Sequence, residues 1–222
     1  MDKQLFPLIN AKWTSPALDS FMATLSCLPV WILPMIVAVA LVIVLGGFRA
    51  RAMLVVLAVV VPVLDMGVSD TIKNLVNRAR PREAKAGVRV VDLQQARPRI
   101  LAVFKPAVVR ITKAPTVASN GTPTGHSFPS GHVINTFGAA TVISLFYRRR
   151  GPLAFIVAAL VGYSRIYTGA HWPSDVVVTA FMGIGATLLL VAVLELAWRT
   201  LGGRVLPRIH ARHPGLLEEA AA

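Results

Sequence analysis

The chain has 222 residues, 55% of them hydrophobic and 15% charged, with a mean hydropathy of +0.64, which excludes an ordinary water-soluble domain and points to a bilayer as solvent. The net charge of +13 does not indicate nucleic acid, because the basic residues lie between long apolar runs and not on a soluble, motif-bearing scaffold. Membrane lipids and phosphorylated substrates are the expected partners, and the single cysteine, Cys27, is expected to be a packed, inert thiol that forms no intrachain disulfide.

Residues 1–19 carry Leu5, Phe6, Leu8, Ile9 and Trp13 with Lys3 and Lys12, the pattern of an interfacial amphipathic helix. No charged residue occurs between Asp19 and Arg49, more than the ~20 residues that cross a bilayer, so this run predicts the first span. It is too long for the apolar core of a signal peptide and has no basic start, so it is expected to be kept as a span. Ala52–Ile72 is the second predicted span, interrupted by Asp65 and Asp70. The third runs from Gly131 to Tyr147, the fourth from Pro152 to Tyr167, and the fifth from Val176 to Trp198. The expectation is a single all-α domain over 1–222: a polytopic membrane bundle of about five transmembrane helices, with residues 82–124 forming an extramembrane loop.

Consecutive spans alternate in direction. The end of the second, the start of the third, the end of the fourth and the start of the fifth therefore emerge on one face. The opposite face receives Arg49 and Arg51, then Arg148 to Arg150, then Arg199, Arg204, Arg208 and Arg212, which makes it cytoplasmic by the positive-inside rule. The shared face then looks outward, to the periplasm if the membrane is a bacterial inner membrane. The connection from Lys73 to Thr124 opposes that orientation with eleven Lys and Arg against Glu83 and Asp92, but several of these cations have a phosphate-binding reason to be there.

The chemistry-bearing residues lie at those four ends. Lys73 and Arg80, two helical turns apart and followed by Pro81, suit a clamp on a phosphate dianion, although a basic juxtamembrane stop would look the same. Pro129, Ser130 and Gly131 at a helix start leave backbone N–H groups and a hydroxyl for an anion, and His132 on the first turn can donate a proton. His126 is read as a structural hydrogen-bonder. Arg165 ends the fourth span. His171 and Asp175 are four residues apart, so the carboxylate is expected to reach back to one ring nitrogen and leave the other free to attack; a helix cap beside a surface histidine is the plain alternative. Trp172 is read as an interfacial anchor. Asp70 is expected to pair with Lys73, one turn away, whereas Asp65 and Glu195 have no partner to name.

Together these segments read Lys-x6-Arg-Pro, Pro-Ser-Gly-His and Ser-Arg-x5-His-x3-Asp, in order, as Lys73, Arg80, Pro81; Pro129, Ser130, Gly131, His132; Ser164, Arg165, His171, Asp175. The series resembles the signature of the type 2 phosphatidic acid phosphatase superfamily, with no departure at those positions and over the second to fifth spans. The resemblance implies that His171 attacks phosphorus to give a phosphohistidine, Asp175 orients it and His132 protonates the leaving oxygen. Lys73, Arg80, Arg165, Ser130 and Gly131 would hold the phosphoryl oxygens.

No metal or other cofactor is expected, since three fixed cations can take the place of magnesium and no residues have metal-ligand spacing. The substrate expected is a lipid phosphate or diphosphate: phosphatidate, phosphatidylglycerophosphate, undecaprenyl diphosphate or a lipid A phosphate. A phosphotransferase of the same superfamily and a non-catalytic anionic-lipid-binding protein are the alternatives. The related vanadium haloperoxidases are soluble, and the five apolar runs argue against that activity. The loop is expected to lie on the membrane surface and to set substrate choice.

Overall fold

The computed structural model describes residues 1–113 and 125–217. Part of the 82–124 loop therefore lies outside the described residues. In chain order the elements are α1 (Asp2–Pro7), α2 (Pro16–Ser26), α3 (Leu28–Leu45), α4 (Phe48–Pro62), α5 (Asp70–Val76), α6 (Pro81–Ala84), β1 (Arg89–Leu93), β2 (Ala107–Ile111), α7 (Gly131–Phe146), α8 (Ala154–Tyr167), α9 (Pro173–Val205) and α10 (Pro207–His210). A π-helical stretch, Val63–Ser69, joins α4 to α5 and another, Leu8–Lys12, follows α1.

Among the described residues, three helical runs are long and apolar enough to cross a membrane: Leu28–Leu45, Phe48–Ala84 and Pro173–Val205. The regions read as third and fourth spans are shorter, Gly131–Phe146 and Gly151–Tyr167. At 1.5 Å per residue the 16 residues of α7 rise about 24 Å. This helix is the centre of the bundle, packed against α4, α8 and α9, with Ile134, Val142 and Phe146 fully buried. Close approach of α7 to α9 depends on Gly183, where a Cβ would stand 2.9 Å from the Ile134 carbonyl oxygen, the small-residue contact that lets helices in lipid approach through their backbones. By contrast α3 buries only Val30 and turns the rest of its apolar surface outward, as a lipid-facing helix does.

The first predicted span is divided. Ser15 caps α2 by accepting from the Leu18 N–H, and the helix stops at Cys27, where α3 begins with Pro29 in its first turn. In the first turn of α2, Asp19 is buried. Its carboxylate accepts two bonds from the Arg89 guanidinium, at 2.9 and 3.0 Å, and one from the Tyr167 hydroxyl at 2.6 Å. So α2 belongs to a cap at the end of the bundle.

The N-terminal segment joins this cap, which corrects the reading of 1–19 as one interfacial helix. Phe6 and Ile9 are core residues, and Asn10 is buried with its amide donating to the carbonyls of Arg89 and Tyr167, both at 2.8 Å, while its oxygen accepts from the Arg89 N–H. A buried amide satisfied on both sides holds β1 and the end of α8 together.

The 82–113 part of the loop is likewise packed. β1 and β2 pair antiparallel with Arg89 opposite Ile111, Val91 opposite Val109 and Leu93 opposite Ala107. Val91 and Leu93 alternate inward onto the cap core, so the architecture is a helical bundle with a small two-stranded sheet and not all-α.

Candidate active site

α5 ends at Asn77, which takes the left-handed conformation (φ 43°) and turns the chain so that Arg78 and Arg80 run over the end of the bundle. Arg78 donates to the Ser174 hydroxyl at 3.0 Å, to Asp2 at 2.7 Å and to Asp175. The Arg80 backbone N–H is capped by Glu83, and its buried Nε has no partner among the described residues. Lys73 pairs with Asp70 at 2.9 Å, as their one-turn spacing suggests.

Ser130 stands at the N-cap of α7. Its N–H donates to the Thr179 hydroxyl at 3.2 Å and its own buried hydroxyl has no partner among the described residues. Gly131, the first residue of α7, faces Lys73 and Asp65: a Cβ there would lie 3.2 Å from Asp65 Oδ1 and 4.0 Å from Lys73 Nζ. That places Asp65, unassigned from sequence, beside Lys73 and the start of α7. Glu195 is at the other end of the bundle, bonded to Arg199 at 2.6 Å and to the Leu216 N–H at 2.8 Å.

α8 ends with Arg165 in its last turn. The chain then reverses through Gly169, whose φ of +73° only glycine adopts freely, and the N–H groups of Ala170 and His171 return to the Arg165 carbonyl. His171 is 3% exposed. Its Nδ1 lies 2.6 Å from the Ser127 carbonyl oxygen. A carbonyl can only accept, so Nδ1 carries the proton and Nε2 holds the free lone pair. Burial, followed by the Arg165 guanidinium, holds the His171 pKa well below the ordinary imidazole range; the Ser127 bond opposes this, and Arg80 and His132 add to it.

The expected contact between Asp175 and His171 is not formed. Asp175 is fully buried at the third position of α9 and caps that helix by accepting from the Trp172 N–H at 3.0 Å. The same carboxylate accepts the Ser127 hydroxyl at 2.5 Å and the Arg78 guanidinium. It thus reaches the imidazole through Ser127 and not directly. Trp172 is also not an interfacial anchor: it is 8% exposed, donates to the Ala79 carbonyl at 2.9 Å and packs on Phe6. His126 sits 3.4 Å from the Lys73 carbonyl, in keeping with a structural role.

His132 and Arg165 open onto a cavity of about 330 Å³, bounded also by Ser26, Leu28, Pro29, Arg82 and Arg99. Cys27 lines it too and accepts from Arg99 at 3.6 Å; the residue is partly buried, packed on one side against the cap core and open on the other to the cavity. Four buried polar atoms in this region lack protein partners among the described residues: Arg80 Nε, Ser130 Oγ, His132 Nε2 and Arg165 Nε. The two arginine Nε–H groups and the Ser130 hydroxyl are donors, and buried donors left unpaired are costly, so the region suits an anionic ligand. A larger groove, about 480 Å³, lies between α4 and α9 near Phe48 and Trp198, but it is almost wholly apolar and at the far end from these residues.

Sequence reasoning missed Arg78, Ser127, Asp2 and Asn10. Arg78 lies within the basic cluster and Ser127 within the Gly-His-Ser-Phe-Pro-Ser-Gly-His run, so both were near a signal; nothing marks Asp2 or Asn10.

Residues 90–199 match the family model described as the PAP2 superfamily. The undecaprenyl-diphosphatase of Sulfolobus acidocaldarius is 39% identical over 80 residues, covering 36% of this chain and only 39% of that protein. The lipid A 4'-phosphatase of Bacteroides thetaiotaomicron is 28% identical over 188 residues, 82% of this chain and 72% of that one. The crystal structure of Aquifex aeolicus LpxE superposes with a TM-score of 0.57 at 23% identity, covering 86% of this chain and 94% of that chain, a likeness of fold. The family match, on a chain that carries the ordered signature from Lys73 to Asp175, shows that this protein belongs to the PAP2 superfamily.

Proposed function

We propose that this chain is a membrane phosphatase that hydrolyses a lipid phosphate or diphosphate through a phosphohistidine at His171. The observation that carries the reading is the buried imidazole with its Nδ1 proton committed to a backbone carbonyl, surrounded by unpartnered anion-binding groups. Nε2 attacks phosphorus in line, a P–N bond forms as the P–O bond to the lipid breaks, and His132 delivers a proton to the leaving oxygen. Lys73, Arg80, Arg165, the Ser130 hydroxyl and the free N–H groups at the start of α7 hold the phosphoryl oxygens as charge redistributes. Water, relieved of a proton by His132, then cleaves the P–N bond and frees phosphate. The chemistry asks for fixed positive charge and placement, which these side chains supply without a metal.

A lipid substrate fits the cavity boundary. Leu28 and Pro29 open the lipid-facing helix α3, so a hydrocarbon tail can remain in the bilayer while the headgroup enters. In this reading α7 and α8 cross with the three long helices, giving five spans. The site faces away from the arginine-rich ends, outward in a bacterial inner membrane.

The test is phosphate release by purified protein in detergent with EDTA present, from phosphatidate, phosphatidylglycerophosphate, undecaprenyl diphosphate and lipid A, comparing wild type with His171→Ala. EDTA-resistant release that the variant abolishes supports the reading. No release from any of these by folded protein would move the assignment to a phosphotransferase or a lipid-binding protein.

A further inference from the structure

The cavity holds more positive charge than one phosphoryl group uses. Besides Arg165 it is lined by Arg82 and Arg99, and its one acidic lining residue among those described, Asp92, is bonded to Arg110 at 2.6 Å. Arg99 is fixed at the wall by the Gln94 carbonyl at 3.0 Å and by Cys27. The Arg82 side chain makes no hydrogen bond or ion pair among the described residues, although the residue is half-buried. Neither arginine belongs to the Lys73-to-Asp175 signature, so the scissile phosphate leaves both without an assigned ligand. A cavity of about 330 Å³ lies in the range that encloses whole small-molecule headgroups. Arg99 also borders an adjoining open pocket with Arg97 and Lys105, so cationic groups continue outward from the cavity.

We propose that Arg82 and Arg99 form a second anion subsite, and that the substrate is a lipid whose headgroup carries another anionic group next to the phosphate removed, as a lipid diphosphate does. This rests on the phosphatase reading and narrows it. The outer phosphate occupies the His171 site. The inner one, which stays with the lipid, is gripped by the two guanidiniums, whose planar N–H groups suit bidentate contact with phosphate oxygens. Arg82 and Arg99 are then specificity-determining residues, distinct from the groups that act on the reacting phosphorus.

Cys27 supplies a readout independent of turnover, since it is the only cysteine and lines the same cavity. Alkylation of this thiol by a maleimide is followed in detergent with orthophosphate or methylenediphosphonate as protecting anion, in wild type and Arg82→Gln. The diphosphonate is expected to protect at lower concentration, and the ratio of half-protecting concentrations, orthophosphate over diphosphonate, is expected to fall at least roughly tenfold in the variant, the loss of one charged hydrogen bond. A ratio that changes by less than about twofold, or no protection by the diphosphonate, overturns the subsite. In parallel, kcat/KM is measured for farnesyl diphosphate and farnesyl phosphate, with thermal unfolding as the check on folding. Release from both lipids with the same ratio in wild type and Arg82→Gln rejects the subsite and leaves the phosphatase reading standing. No release from either by folded wild type rejects that reading and the substrate class with it.

Discussion

Replacing Asp175 with Asn separates a direct role for this carboxylate from a relayed one. The fully buried side chain accepts from the Ser127 hydroxyl at 2.5 Å, the Trp172 N–H at 3.0 Å and the Arg78 guanidinium. Asparagine keeps one acceptor oxygen for Ser127 and Trp172 but turns an NH2 donor toward Arg78. A hydrogen bond to a charged group contributes roughly 1.5–3 kcal/mol. Arg78 is 36% exposed and keeps Asp2 as a second carboxylate, so its loss of Asp175 counts toward the lower end. The expected cost is about 2 kcal/mol of stability. The Ser127 carbonyl is a backbone group that the substitution does not remove, so the His171 tautomer survives and kcat falls by roughly 10- to 100-fold through loosened placement alone. Were the carboxylate bonded to the imidazole itself, asparagine would reverse the tautomer and cost on the order of 10⁴ in kcat. The assay is lipid-phosphate hydrolysis in micelles, with thermal unfolding in parallel. A 10⁴-scale loss at an unchanged unfolding temperature would refute the relay through Ser127.

Gly169→Ala puts a Cβ 2.7 Å from the Arg89 carbonyl oxygen at a φ of +73°, so about 1–3 kcal/mol of stability should be lost. Because His171 lies two residues on, kcat/KM should fall roughly 100-fold, and a fully active, equally stable variant would contradict the turn's role. The pH profile of kcat/KM should keep its acid limb below 6.5, the ordinary histidine value, because the neutral imidazole persists to lower pH. Arg165→Gln removes a neighbouring cation and should move that limb up, whatever the residual rate; a limb that stays in place would argue against the electrostatic account. Burial pushes the Asp2 carboxyl up, but the Ser174 hydroxyl and N–H and the Arg78 guanidinium outweigh it and hold it below the usual aspartate range. With the folded pKa depressed, the unfolded chain binds more protons, so this stabilisation is present above 3.8 and lost as pH falls through the folded pKa. Unfolding of Asp2→Asn against wild type should therefore differ at neutral pH and converge in acid, and a difference that persists in strong acid would contradict it.

The residues that sequence alone could align were those set by local spacing. The charge-free run before Arg49 gave α3 and its lipid-facing surface, and strict intervals such as Lys73 to Arg80 and His171 to Asp175 marked segments that the bundle brings to one end. What stayed hidden depends on contacts between distant residues. Asp19 reads as the edge of a span until Arg89 and Tyr167, 70 and 148 positions away, turn it into the anchor of a cap. Asp2 reaches Ser174 across 172 positions, and no periodicity announces such a pair. The Asp175 reading failed for a local reason: a carboxylate at the third position of a helix is drawn to the cap N–H, and Ser127 then stands between it and the ring. The packing of the loop was hidden in the same way, because the strand holding Val91 and Leu93 meets a cap core built from residues far away in sequence.

The measurement that bears most directly on the central claim is identification of a phosphoenzyme. Wild-type protein is mixed with excess lipid phosphate, quenched in alkali where phosphohistidine survives, digested and mapped by mass spectrometry. The account predicts a substrate-dependent phosphoryl group on His171 that is absent from His171→Ala, with phosphate release lost in the same variant. A phosphoryl group on another residue, or release by His171→Ala at the wild-type rate, would contradict it.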